Sequence, residues 1–284
     1  MRVVITGAGG QLGYELRRAL AAQELILLDL PTFDLTQPSC GRRIIEAAPD
    51  VVIHAGAYTD VDGAEREPAR AMAINAEGTV RVAQAADQVG ARLLYISTDY
   101  VFDGWKNSPY EETDSPSPIN QYGRSKLAGE QAVLAGCRNT LIIRTAWLYG
   151  GEGKNFVKTI VALANERPVL RVVADQRGCP TRAEDLAGAM AVLIQSELRG
   201  ILHVTNEGAC SWHEFACEIV KLSGKQAAVE PITTDQAGRL AARPAYSVLS
   251  AEQRRRHGIG MPHWKEALSG YIGQAAASTL VAGQ

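Results

Sequence analysis

Two groups of residues have the types and spacing to do chemistry. Tyr122 and Lys126 stand four apart in the run QYGRSK at 121–126, and on a helix that spacing puts both side chains on one face. An ammonium one turn from a phenol favours the phenolate, so the lysine is expected to draw the tyrosine pKa down from its ordinary value of about 10. A tunable acid of that kind suits proton transfer to or from a sugar or alcohol oxygen near neutral pH. The second group is Ser97 and Thr98, which close the apolar run Leu93-Leu94-Tyr95-Ile96. Ligands of an open α/β sheet lie outside the carboxyl ends of its strands. A hydroxyl there could hydrogen-bond a substrate carbonyl, or it could simply cap the strand.

Elements that would position these groups run through the first half of the chain. Val3-Val4-Ile5 reads as a buried strand and passes directly into Gly7-Ala8-Gly9-Gly10-Gln11-Leu12-Gly13, after which Leu16 and Leu20 follow at helical spacing. Strand, glycine turn and helix are the context of a dinucleotide fingerprint. Gly7, Gly10 and Gly13 would turn the backbone tightly and let it approach a pyrophosphate, with Gln11 and Leu12 at the helix N-terminus offering N–H groups to the anion. A second strand at 25–28 ends in Asp29, an acid placed to accept from an adenosine ribose 2′-hydroxyl or to shape the turn. Asp34 and Leu35 follow on the adenine side. Arg17 and Arg18 could meet a 2′-phosphate, with solvated surface charge as the default, so the choice between NADH and NADPH stays open. The third strand, Val51-Val52-Ile53, ends in His54-Ala55-Gly56-Ala57, and its small residues allow a planar ligand to come close. His54 is expected to be packed at the strand end, and Asn75, inside a helical stretch, needs hydrogen-bond partners if it faces inward.

The totals exclude other classes. The chain has 284 residues and a net charge of −2, which argues against nucleic acid or an anionic membrane as the main partner. No apolar run approaches the ~20 residues of a spanning helix, and the opening MRVVITGAGG enters a strand pattern at once. A soluble, cytoplasmic protein is expected. The five cysteines are scattered without a CxxC pair and read as reduced thiols with no zinc site.

The fourth and fifth strands bring further runs. STDYVFDG at 97–104, YGRSKLAGE at 122–130, RTAWLYG at 144–150, NFV at 155–157, DQRGCPT at 175–181 and ARPAYSVLS at 242–250 join GAGGQLG at 7–13. With these the chain resembles the extended short-chain dehydrogenase/reductases and, within them, the dTDP-4-dehydrorhamnose reductases. The glycine motif and YxxxK point only to the superfamily; STDYVFDG, RTAWLYG and DQxGxPT together discriminate further.

The resemblance implies an α/β protein with a Rossmann-like, doubly wound parallel sheet at 1–150. It implies a smaller substrate lobe at 151–284, some of whose segments return to the sheet. It implies reduction of the C4 ketone of dTDP-4-dehydro-L-rhamnose by NADPH, with NADH as the alternative. Thr98 would hydrogen-bond the C4 oxygen, Tyr122 would give it a proton, and Lys126 would lower the tyrosine pKa and hold the nicotinamide ribose. Asp99, Trp147, Asn155 and Gln176 would contact the sugar nucleotide, Trp147 by stacking its indole on the sugar and Asn155 at the diphosphate. Tyr100 stands where dehydratases of the superfamily carry a glutamate base, which favours simple ketone reduction. Glu15 and Glu184 occur where some relatives bind Mg²⁺ at a dimer contact; two isolated carboxylates are a weak case, so no metal is assigned and a homodimer is left open. The rival functions are reduction of another 4-keto deoxysugar nucleotide and a non-catalytic, dinucleotide-binding regulatory subunit. The intact Thr98, Tyr122 and Lys126 favour the enzyme. Arg243 and Pro244 match a family position of uncertain role.

Overall fold

The computed structural model describes residues 1–151 and 153–282, with side chains described up to residue 274. The apolar runs become six strands of one sheet: β1 (Arg2–Thr6), β2 (Glu24–Leu28), β3 (Val51–His54), β4 (Arg92–Thr98), β5 (Thr140–Thr145) and β6 (Gly200–His203). Their order is β6-β5-β4-β3-β1-β2 and every neighbouring pair is parallel. This is a doubly wound sheet, and its chain order reverses between β1 and β3, the switch point where such sheets bind ligands.

Helices cover both faces, which is why β3 and β5 are buried along their whole length and read as continuous apolar runs. Side chains alternate with the period of two that a strand dictates. Val3, Ile5, Ile53, Leu94, Leu141 and Ile143 meet Leu12 and Leu16 of α1 (Gln11–Ala19) on one face. Val4, Val52, Leu93, Tyr95 and Ile142 meet residues of α2 (Cys40–Ala47), α3 (Thr79–Gln88) and α4 (Gln121–Gly136) on the other. After β5 come α5 (Phe156–Glu166), α6 (Ala183–Leu193), α7 (Trp212–Leu222) and α8 (Trp264–Ala282). Of these, α6 joins the first face of the sheet through Leu186, Met190 and Leu193. Parts of α5, α7 and α8 enclose a separate core of Val157, Ile160, Phe215, Ile219, Trp264 and Leu268.

One local irregularity bears on the site. The helical stretch leading into α3 carries a π-helical turn at Ala73–Gly78, a form that concentrates at functional sites. It turns Asn75 inward. The amide nitrogen of Asn75 donates to Tyr58 O and Ser125 Oγ, both at 2.9 Å, and its oxygen accepts from Tyr58 N at 2.8 Å. The buried amide is thereby satisfied, and it ties the loop after β3 to α4.

Candidate active site

A cleft of about 1060 Å³ runs across the carboxyl ends of the strands, from the glycine turn to a pair of tryptophans. Its first wall is the turn after β1. Gly7 has φ +69°, and a Cβ there would lie 2.6 Å from Gly56 N, while a Cβ on Gly13 would lie 2.2 Å from Gly7 O. Only glycine allows the ends of β1 and β3 and the start of α1 to approach this closely. Gly10, the N-cap of α1, offers no side-chain cap, so the first-turn N–H groups at Gln11, Leu12 and Gly13 are open to an anion. The side-chain oxygen of Gln11 is buried without a partner. Asp29 reaches back to the turn, accepting from Gly9 N at 2.6 Å and from Leu30 N at 2.8 Å. Asp34, Leu35, Ala55, Gly56 and Ala57 complete this end of the cleft. Arg17 and Arg18 lie outside it, in a separate surface hollow.

Thr98, Tyr122 and Lys126 meet at the middle of the cleft. Thr98 ends β4. The other two lie in the first turns of α4, whose N-cap Asn120 accepts from Gly123 N at 2.7 Å. A Cβ on Gly123 would lie 2.1 Å from Tyr100 O, so this helix start rests directly on the turn after β4. Lys126 is buried, donates to Ile96 O at 2.8 Å, and lies 4.2 Å from the centre of the Tyr95 ring. Its desolvation brings the ammonium down to about 7, with Glu130 opposing the fall. The expected lowering of the tyrosine is not what this environment produces. Burial pushes Tyr122 up to about 12; Thr98 pulls it down as a hydrogen-bonding neighbour, and Asp99 adds to the rise. Withdrawal from water penalises the phenolate and the ammonium alike, and here it is the largest influence on both.

Sequence reading missed the support beneath Lys126. Glu130, one turn further on, is buried and accepts from Ser97 Oγ at 2.5 Å, Arg144 Nε at 2.9 Å and Arg144 Nη2 at 2.7 Å. An arginine inside the apolar run LIIRT was the available signal, because a buried guanidinium demands a carboxylate. Asp99 is also buried. It accepts from Ser247 Oγ at 2.5 Å and from Thr98 Oγ1 at 3.1 Å, and burial raises it to about 7. His54 lies away from this chemistry, buried between the hydroxyls of Thr6 and Thr79 at 2.6 and 3.0 Å.

At the far end, Trp147 has φ +48°, a left-handed backbone that a bulky residue adopts only when its surroundings hold it there. Its indole stacks on Trp212 with ring centres 3.5 Å apart and planes 7° from parallel, and a Cβ on Gly178 would fall 2.5 Å from its Cε2. One face of the Trp147 indole is thus taken by Trp212, while the half-buried ring still lines the cleft. Trp212 and Lys154 line this end too and were not singled out from the sequence; the aromatic at the first position after the Ser211 cap was the available hint. Asn155 lines the cleft but is occupied as the N-cap of α5, accepting from Lys158 N at 2.9 Å and donating to Gly150 O at 2.7 Å. Gln176 stands apart from the cleft lining, buried and donating to Thr234 Oγ1 at 2.9 Å. Glu15 and Glu184 each pair with an arginine, Arg18 and Arg182. Among the described residues no group of three or more His, Cys, Asp or Glu side chains could hold a metal ion, and no helix is long and apolar enough to cross a membrane.

Comparison with known proteins agrees with this geometry. The family model described as the RmlD substrate binding domain matches residues 1–277. A dTDP-4-dehydrorhamnose reductase of Mycobacterium tuberculosis is 44% identical over 290 residues, covering 99% of this chain and 95% of that protein. The spore coat polysaccharide biosynthesis protein SpsK of Bacillus subtilis is 42% identical over 98% of this chain and 99% of its own length. The crystal structure of a Bacillus anthracis dTDP-4-dehydrorhamnose reductase in complex with NADP is 44% identical, with a TM-score of 0.93 over 96% of this chain and 99% of that one. Sheet order, glycine turn and strand-end hydroxyl beside a Tyr–Lys helix thus coincide with sequence likeness over nearly the whole length, and the chain belongs to the dTDP-4-dehydrorhamnose reductase family.

Proposed function

We propose that this protein reduces the C4 ketone of dTDP-4-dehydro-L-rhamnose to the alcohol of dTDP-L-rhamnose, with NADPH as reductant and NADH as the alternative. The observation that carries this reading is the placing of Thr98, Tyr122 and Lys126 in one cleft with the glycine turn at one end and an aromatic pair at the other. The residues fit a dinucleotide: Gly7 and Gly13 leave a cradle that a Cβ would fill, and the uncapped start of α1 suits a pyrophosphate. When bound, the cofactor supplies the electron pair and hydrogen that add to the carbonyl carbon. Residues 1–150 hold it, and residues 151–284 supply mainly the sugar-nucleotide lobe.

The protein's own part is position and a proton. Tyr122, held protonated at neutral pH by burial, gives its proton to the C4 oxygen as that oxygen gains charge. When that ketone binds, Thr98 Oγ1 turns its single proton from Asp99 Oδ1 to the same oxygen. Lys126 lies on the same helix face as the phenolate left behind and offsets its charge, while its remaining N–H groups hold the ribose. Asp99 accepts from a sugar hydroxyl, and the Trp147 edge with Trp212 bounds the ring. The test is oxidation of NADPH and of NADH with enzymatically generated dTDP-4-dehydro-L-rhamnose, the product being identified by NMR. Formation of the rhamnose epimer supports the reading. Tight cofactor binding without turnover would shift it to another keto sugar or to a regulatory subunit.

A further inference from the structure

The run at 241–247 has no part in the chemistry above, yet it is fastened to segments on both sides of the site. Asp62, in the short helix Val61–Arg66 that follows β3, accepts from Ala241 N and Arg243 Nη1 at 3.0 Å each and from Arg243 Nη2 at 2.9 Å. Such a two-pronged contact fixes direction as well as distance. Ala242 O accepts from Asn120 Nδ2 at 2.8 Å, and Asn120 is the residue that caps the helix carrying Tyr122. Pro244 lies so close to Gly104 that a Cβ on the glycine would meet it at 2.6 Å. Ala245 O accepts from Arg177 N, and Ser247 N donates to Arg177 O, both at 2.8 Å. Gly178, the next residue, is the one packed against the Trp147 indole. Ser247, itself buried, ends the run with its hydroxyl on Asp99 Oδ2 at 2.5 Å.

We propose that residues 241–247 form a positioning strap for the reaction, in which Arg243 on Asp62 and Asn120 on Ala242 hold the strap against the start of the Tyr122 helix, and Ser247 aims the Asp99 carboxylate at the sugar. The strap touches neither reacting atom; it acts through Asp99 and through the cap of α4. The inference rests on the proposed ketone reduction, and specifically on Asp99 receiving a sugar hydroxyl as a carboxylate. The groups facing Asp99 are Thr98 and Tyr100 beside it, Tyr122 from α4, Cys179 from the 175–181 run and Ser247 from the strap. Among the described residues, Ser247 and Thr98 are the side chains that donate hydrogen bonds to it, and both lower its pKa.

The test compares wild-type protein with Ser247→Ala, Ser247→Thr and Arg243→Lys by turnover of the keto sugar nucleotide across pH, with cofactor affinity and melting temperature measured on each. Loss of the Ser247 donor raises the Asp99 pKa, so the acid limb of kcat/KM moves up by about one pH unit in Ser247→Ala. Ser247→Thr, which keeps the hydroxyl, restores the wild-type limb. Arg243→Lys keeps the charge but loses the fork, and lowers kcat about tenfold with cofactor affinity unchanged. An acid limb in Ser247→Ala identical to wild type, or one that Ser247→Thr leaves shifted, overturns the proposal, as does full kcat in Arg243→Lys. If wild-type protein itself fails to turn over the substrate, the functional reading fails first, and the strap with it.

Discussion

The two ends of the cleft are built in different ways. The end we assign to the cofactor is local: Gly7 to Gly13 is one continuous stretch, and its tightest contact runs from Gly13 back to Gly7, within that stretch. The end we assign to the substrate is assembled from distant segments. Trp147 meets Trp212 and Gly178, and Asp99 meets Ser247 across a separation of 148 residues. A local motif is fixed by backbone sterics and needs little else. A composite site depends on the packing of the lobe that holds it, and its polar groups must find partners that no short stretch supplies.

The largest expected effect lies where the two ends meet. Tyr122→Phe removes the phenol proton and leaves the ring, so turnover falls by about 10²–10⁴-fold while cofactor affinity is retained. Near-normal turnover would remove Tyr122 from the proton-donor role. Gly13→Ala tests the local end. With a Cβ 2.2 Å from Gly7 O, the turn must open, lowering stability by about 1–3 kcal/mol and weakening the cofactor more than the sugar nucleotide. Thermal melting with separate titrations of the two ligands decides this; equal weakening of both would mean that the two ends are not independent.

Trp212→Ala tests the composite end. It removes the stacking partner of the strained Trp147 and raises the substrate KM about tenfold, with cofactor affinity unchanged. A lowered cofactor affinity would instead show that the pair supports the whole cleft. The smallest effect is on stability against pH. Folding raises Asp99 from 3.8 to about 7, so the folded protein holds this proton more tightly than the unfolded chain. The stabilisation is full below the unfolded pKa and is lost as the pH rises through about 7. Asp99→Asn has no charge to desolvate, so its melting temperature gains on that of wild type by a few degrees between those limits. Parallel curves would place the Asp99 carboxylate in a less hostile setting than its burial implies.

The sequence by itself determined the parallel sheet, the glycine turn and the joint placing of Thr98, Tyr122 and Lys126. The glycine turn and the shared face of Tyr122 and Lys126 follow from short-range rules, the steric demand at Gly7 and four-residue spacing on a helix; the parallel sheet and the place of Thr98 beside that pair came with the family resemblance that the longer motifs carry. Tertiary structure decided the electrostatics and the long-range partners. Spacing suggested that Lys126 would lower the tyrosine pKa, but spacing carries no information about burial, and burial raised it. Stacking of Trp147 on a sugar was an expectation from one indole beside a strand; folding gives one face of that indole to Trp212 and sets Gly178 against its ring. Asn155 and Gln176 carried functional expectations; in the structure the first caps a helix and the second donates to the half-buried hydroxyl of Thr234. Ser247, lying in a run already seen to resemble the family, acquired meaning only when folding brought it to Asp99. A hydrogen bond between residues so far apart in sequence leaves no periodic trace in either of them; it exists only once the chain entropy between them has been overcome by packing.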